Sequence, residues 1–190
     1  MSYMYDEKLR SHNARSGVKT FLGLQFVMSI IGTLKFHPRL GVSTGMYAEL
    51  KRVISAADVS TYSALLGDTN PLHLDAAFAA TTRWGRPIAH GMISAGLFPT
   101  LFGASIPACV YVSQTLRFRR PVYVGDAVIA RVTVREVRLR GGAQMATCET
   151  IATLDGSGAV VVDGEAVVLL PPFEPHEEIP TPTPHLRSAA

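Results

Sequence analysis

Four segments rich in Val, Thr and Ile follow one another in the second half of this chain: Tyr111 to Phe118, Ala127 to Arg138, Gln144 to Leu154 and Ala159 to Leu170. Turn signals at Gly141-Gly142 and at Asp155-Gly-Ser-Gly158 separate the last three, too short a spacing for a crossover helix, so neighbouring strands are expected to pair antiparallel. Ahead of them, the run from Gly91 to about Phe102 is apolar on most sides and reads as one buried helix. The expected fold is α+β: an antiparallel meander around a central helix.

Further helices are legible upstream. Ser55, with Asp58 three residues on, forms the start signal of a helix over Ala56 to Leu66, whose apolar side would carry Val59, Tyr62, Leu65 and Leu66. Gly67 would end it. Asp75 is placed to cap a short helix running through Thr82, and Gly85 and Pro87 then lead into His90-Gly91.

Between these helices lies the stretch with most chemistry. Asp68, Asn70 and His73 bring an acid, an amide and an imidazole into one turn stiffened by Pro71, and His90-Gly91 opens the apolar helix further on. An Asp/His pair beside a backbone N–H donor is equipment for moving a proton of water next to a carbonyl.

The whole chain has 190 residues, 47% hydrophobic and 17% charged, which suits one globular domain with residues to spare. Its net charge of +3 is spread out, without clustered Lys/Arg and interleaved aromatics, so no nucleic-acid partner is expected. Cys109 and Cys148 stand far apart in strand contexts and read as buried thiols in a reducing compartment.

The two ends differ from the middle. From Lys8 through Ala48 there is no acidic residue but there are Lys8, Arg10, Arg15, Lys19, Lys35 and Arg39, a basic pattern suited to a mitochondrial transit peptide, although Asp6 and Glu7 run against it. The alternatives are that residues 1–48 pack on the domain, with the protein cytoplasmic, or are a misassigned start. The apolar run from Phe21 to Leu34 is too short and too interrupted for a stable membrane span. Pro171, Pro172, Pro175, Pro180, Pro182 and Pro184 make residues 171–190 an extended tail, which leaves residues 49–170 as the folded unit.

From about Lys51 to Leu170 the chain resembles the (R)-specific enoyl-CoA hydratases, or MaoC-like dehydratases, of the hotdog fold. Three ordered motifs carry the resemblance: Gly67-Asp68-Thr-Asn70-Pro71-Leu-His73-Leu-Asp75, Pro87-Ile-Ala-His90-Gly91-Met92, and Arg119-Arg-Pro121-Val-Tyr-Val-Gly125-Asp126. The resemblance implies a single hotdog domain, with a curved antiparallel sheet wrapped around a long central helix. It also implies pairing with a second unit, hence a homodimer. Many members of the family carry a serine where this chain has Leu66, and some carry one on the central helix near Pro99. Those departures bear on specificity.

Hydrating a 2-enoyl thioester requires a base for water, a proton for the α-carbon and stabilisation of an enolate at the thioester oxygen. His73 is assigned as the base. Asp68 would hold the same water and pass the second proton, and the Gly91 N–H, at a helix start, would donate to the oxyanion. Asn70 and His90 would support the turn and orient neighbours. Arg117, Arg119 and Arg120 are candidates for the phosphates of coenzyme A or the acidic face of an acyl carrier protein, against the alternative of a solvated strand face. Ile93, Leu97, Phe98, Leu101 and Phe102 are either acyl-tunnel wall or core. No cofactor and no metal is required.

Three other functions compete with this assignment. His73, Asp75 and His90 superficially match a two-histidine, one-carboxylate iron site, but Asp75 is better used as a helix cap. A hotdog thioesterase would take the same substrates, and a noncatalytic acyl-binding subunit would keep the fold alone.

Overall fold

A computed structural model of the chain describes residues 29–140 and 143–172. The expected transit peptide, apart from its end, the Gly141-Gly142 turn and nearly all of the Pro-rich tail lie outside the described residues. Six strands, β1 (Ile30–Gly32), β2 (Tyr47–Val53), β3 (Val110–Phe118), β4 (Ala127–Arg140), β5 (Ala143–Leu154) and β6 (Val160–Leu169), form one antiparallel sheet in the order β1-β2-β4-β5-β6-β3. Register shifts at Tyr111/Ser113, Val134/Glu136 and Ala152/Thr153 insert bulges that bend their strands.

Among the described residues there are also five helices: α1 (Ala56–Leu66), α2 (Pro71–Leu74), α3 (Ala76–Ala80), α4 (Gly91–Ala95) and α5 (Leu97–Ser105). From α5, the fully buried Phe98, Leu101 and Phe102 pack into a core with Leu50, Val128 and Val132 of the sheet. These α5 side chains, expected either in an acyl tunnel or in the core, are core.

The central helix is not continuous. It breaks at Gly96 because Pro99, three residues further on, has no N–H to offer the Ala95 carbonyl and its ring crowds that group.

Strand β2 starts at Tyr47 and so straddles the boundary expected at residue 48. Ahead of it, β1 pairs with β2, and Leu34 and Val42 are buried in the core with Ala48. Only one alternation, Ala48 and Leu50 inward, marks β2, and its polar residues Glu49, Lys51 and Arg52 obscured it.

Helix α1 has the capping box that its sequence implies. Ser55 Oγ accepts from Asp58 N–H (3.1 Å) and an Asp58 oxygen accepts from Ser55 N–H (2.9 Å), while Gly67, at φ 76°, closes the other end. Its apolar side is a correction. Val59 and Ser63 are the buried positions, whereas Leu65 and Leu66 are 77% and 61% exposed, because the helix ends before the next turn can reach the core. Leu65 instead borders an open groove with Met92 and Ile93.

The two thiols are free. Burial pushes Cys148 up to about 12 and raises Cys109 as well, so neither is poised as a thiolate.

Candidate active site

The left-handed Gly67 turns the chain out of α1 and delivers Asp68, whose backbone carbonyl accepts from Ser63 Oγ (2.5 Å) and His90 Nε2 (3.2 Å). Its carboxylate is half exposed and accepts from Asn70 N–H (3.3 Å). Asn70 in turn caps α2 by accepting from Leu72 N–H (3.0 Å), with Pro71 at the first helical position, where its missing donor costs nothing. What reads as a turn in sequence is thus one helical turn, and it holds His73 near its C-terminal end.

The His73 ring is fixed by its partner. Nδ1 lies 2.8 Å from the carbonyl oxygen of Ile88, which can only accept, so Nδ1 carries the proton and Nε2 keeps its lone pair. Ile88 is itself held by an isolated bridge to Tyr123, with Ala89 N–H donating to Val122 O (2.7 Å). The motif Arg119 to Asp126 therefore braces the carbonyl that sets the histidine tautomer.

His90, the N-cap of α4, is buried. Its ring stacks on His73 at 3.9 Å between centroids and meets Tyr62 at 4.9 Å. Nε2 donates to the Asp68 carbonyl and also lies 3.7 Å from the Asp68 carboxylate, while Nδ1 has no hydrogen-bond partner. Donor-type atoms of Asp68, His73 and His90 all lie within 4.8 Å of one another. Because His73 Nδ1 and His90 Nε2 each donate to a backbone carbonyl, the lone pairs left on the two rings are those of His73 Nε2 and His90 Nδ1. Asp75 stands apart from this group, accepting from Ala77 N–H (2.8 Å) and Phe78 N–H (3.0 Å) as the cap of α3.

A cleft of about 520 Å³ opens beside His73 and the start of α4, lined among others by Trp84, Gly91, Ser94 and Phe118. A Cβ at Gly91 would sit 2.7 Å from Phe118 Cε1, so any larger residue would displace that ring at the cleft. The same bare backbone lets a ligand approach the N–H at the helix start.

Of the three arginines expected at the substrate, Arg119 and Arg120 reach the cleft and Arg117 does not. Arg117 faces a depression on the outer sheet surface with Thr115 and Glu149, as the two-residue repeat of β3 dictates. Arg119 is also paired with Asp163 (2.8 Å). Sequence reasoning missed Arg83 and Trp84, whose guanidinium stacks 4.2 Å from the indole at the cleft, and it missed Ser94. The signal for Ser94 was present as one of two hydroxyls, with Thr100, inside an apolar run.

The model of the MaoC like domain matches residues 41–154, and the chain belongs to this family. It is 47% identical over 132 residues to the (R)-specific enoyl-CoA hydratase of Aeromonas caviae, covering 68% of this chain and 96% of that protein. The solved structure of the (R)-hydratase from A. caviae involved in PHA biosynthesis superimposes with a TM-score of 0.65 at 46% identity, over 70% of this chain and 99% of that one. A mitochondrial 3-hydroxyacyl-acyl-carrier-protein dehydratase of Solanum lycopersicum is 38% identical, over 67% of this chain and 76% of that protein.

Proposed function

We propose that this chain is a hydro-lyase that adds water reversibly to trans-2-enoyl thioesters, forming (R)-3-hydroxyacyl thioesters and dehydrating them in reverse. The observation that carries this reading is the His73 ring: its Nδ1–H is held by Ile88 O, leaving Nε2 as a base beside Asp68 and within one cleft with Gly91.

With the thioester oxygen at the Gly91 N–H, water held between Asp68 and His73 loses one proton to His73 Nε2 as its oxygen bonds to C3. The C2–C3 π pair shifts to C1–C2 and the carbonyl π pair to the thioester oxygen, giving an enolate that the N–H and the helix start stabilise. The proton on His73 passes by way of Asp68 to C2, the enolate collapses, and one water has been added with both residues restored. His90 holds the Asp68 backbone and backs the His73 ring, and Asn70 fixes the turn between acid and base.

Arg119 and Arg120 meet the phosphate of a pantetheine-bearing carrier at the cleft mouth; both coenzyme A and acyl carrier protein present that group. A second copy completes the assembly along β3, one of the two edge strands of the described sheet, on which Val110, Val112 and Phe118 are all more than half exposed. The basic N-terminal region favours mitochondrial delivery, with the cytoplasm as the alternative. Among the described residues no helix is long and apolar enough to cross a membrane.

Loss of the conjugated enoyl absorbance of crotonyl-CoA, with no free thiol released, is the expected result for the purified protein, and the product should be the (R) enantiomer. Thiol release without hydration would overturn the reading in favour of a thioesterase. If crotonyl-CoA, its carrier-protein thioester and a long-chain enoyl thioester all stayed unchanged, the chain would be a noncatalytic binding subunit.

A further inference from the structure

Ser94 lies on α4 three residues beyond Gly91, fully buried, on the wall of the cleft that also holds His73. Its Oγ has no hydrogen-bond partner. A helical serine ordinarily satisfies its hydroxyl on a carbonyl one turn back, as Thr100 does on Gly96 O at 3.1 Å, but Ser94 makes no such bond. Leaving a buried hydroxyl unpaired is unfavourable, and native structures seldom retain one without a reason.

The helix supplies one. Side chains on an α-helix lean toward its N-terminus, and positions i and i+3 share a face, so the Ser94 hydroxyl reaches back toward the turn that begins at Gly91. Met92, unbranched and half exposed, is the neighbouring part of the cleft wall and can yield to an entering acyl thioester. The neutral acceptor that the substrate brings to this end of the cleft is its thioester carbonyl, which becomes an enolate oxygen during hydration.

We propose that the Ser94 hydroxyl is a second oxyanion donor, closing on the thioester oxygen together with the Gly91 N–H. This assignment rests on the hydratase function proposed above. Two donors converging on the oxygen stabilise the enolate more than the ground-state carbonyl, so Ser94 acts chiefly on turnover rather than on binding.

The test compares the wild type with Ser94→Ala and Ser94→Cys in the full chain. In Ser94→Ala, kcat for crotonyl thioester hydration should fall roughly tenfold to hundredfold with KM little changed. Ser94→Cys, a weaker donor of similar size, should fall between. Thermal unfolding supplies a readout that separates function from structure: removing an unpaired buried hydroxyl should leave Ser94→Ala as stable as the wild type or more so. Butyryl-CoA labelled with carbon-13 at C1 is saturated and does not react, and its carbonyl stretch should lie at lower wavenumber on the wild type than on Ser94→Ala.

A wild type that hydrates while Ser94→Ala matches it in kcat and carbonyl frequency overturns the Ser94 assignment alone. A clear loss of thermal stability in Ser94→Ala also overturns it, since the hydroxyl would then have a structural partner. A wild type that hydrates no enoyl thioester overturns the proposed function and this assignment with it.

Discussion

Helices α4 and α5 lie on one apolar track separated by Gly96, yet they are finished differently. In α5 the large side chains Phe98, Leu101 and Phe102 are fully buried and the Thr100 hydroxyl is satisfied. In α4 and its cap, Ser94 Oγ and His90 Nδ1 are buried without a partner, and Gly91 leaves backbone bare at the cleft. The contrast shows where each kind of requirement falls. Packing and stability collect on α5, while α4 and its cap carry the unpaired polar groups beside the cleft.

The largest effect should come from the catalytic side. His73→Ala is expected to lower hydration by about 10² to 10⁴-fold, the usual worth of a positioned acid–base group, while far-ultraviolet circular dichroism shows the fold retained. Activity within tenfold of wild type would break the division, since the base would then lie elsewhere. On the α5 side, Phe102→Ala removes a ring that packs edge-on to Tyr111 at 5.5 Å, and should cost about 3–5 kcal/mol in denaturant unfolding. Below its unfolding transition, its kcat should stay close to wild type. A large fall in kcat for the folded variant would mean that α5 reaches the chemistry after all.

Gly91→Ala falls between these two on activity and sharpens the same contrast. The added Cβ meets the Phe118 ring, which is half exposed and free to swing away, so the fold should survive. The displaced ring also lines the cleft, and the N–H becomes harder to approach. A drop in kcat/KM on the order of tenfold, with unfolding midpoint nearly unchanged, is the expected outcome. Equal loss of stability and activity would instead mark Gly91 as a packing residue.

Much of this division was legible in the sequence because it is local. Ser55 with Asp58, Gly67 after Leu66 and Asp75 before Ala76 announce helix ends through contacts spanning a few residues. The strands β3 to β6 show their β-branched runs, and the spacing of Asp68, Asn70, Pro71 and His73 carries the site. The rest depends on tertiary neighbours. Strand β2 is hidden among Glu49, Lys51 and Arg52, β1 is held by β2 rather than by its own pattern, and Leu65 and Leu66 look apolar enough to be core. Ile88 as the partner of His73, fifteen residues away, and the unpaired state of the buried Ser94 hydroxyl are facts of packing that no local pattern encodes.

The smallest effect should appear in α1, a region finished like α5 but through charge. Burial alone would push the Asp58 carboxyl up, yet the Ser55 backbone N–H, the Ser55 hydroxyl and the Arg52 guanidinium outweigh it and hold it below its ordinary value. A carboxyl lowered on folding contributes stability that is fully present above its unfolded pKa and is lost as pH falls through the folded one. Asp58→Asn should therefore cost about 1 kcal/mol near neutral pH, the usual worth of a cap, and leave kcat unchanged. The gap between wild type and variant should then narrow as unfolding is measured from pH 5 down through the ordinary carboxylate range. A gap that stays constant across that range would mean that Asp58 acts by shape and hydrogen bonding rather than by charge, and the resemblance between α1 and α5 would become one of packing alone.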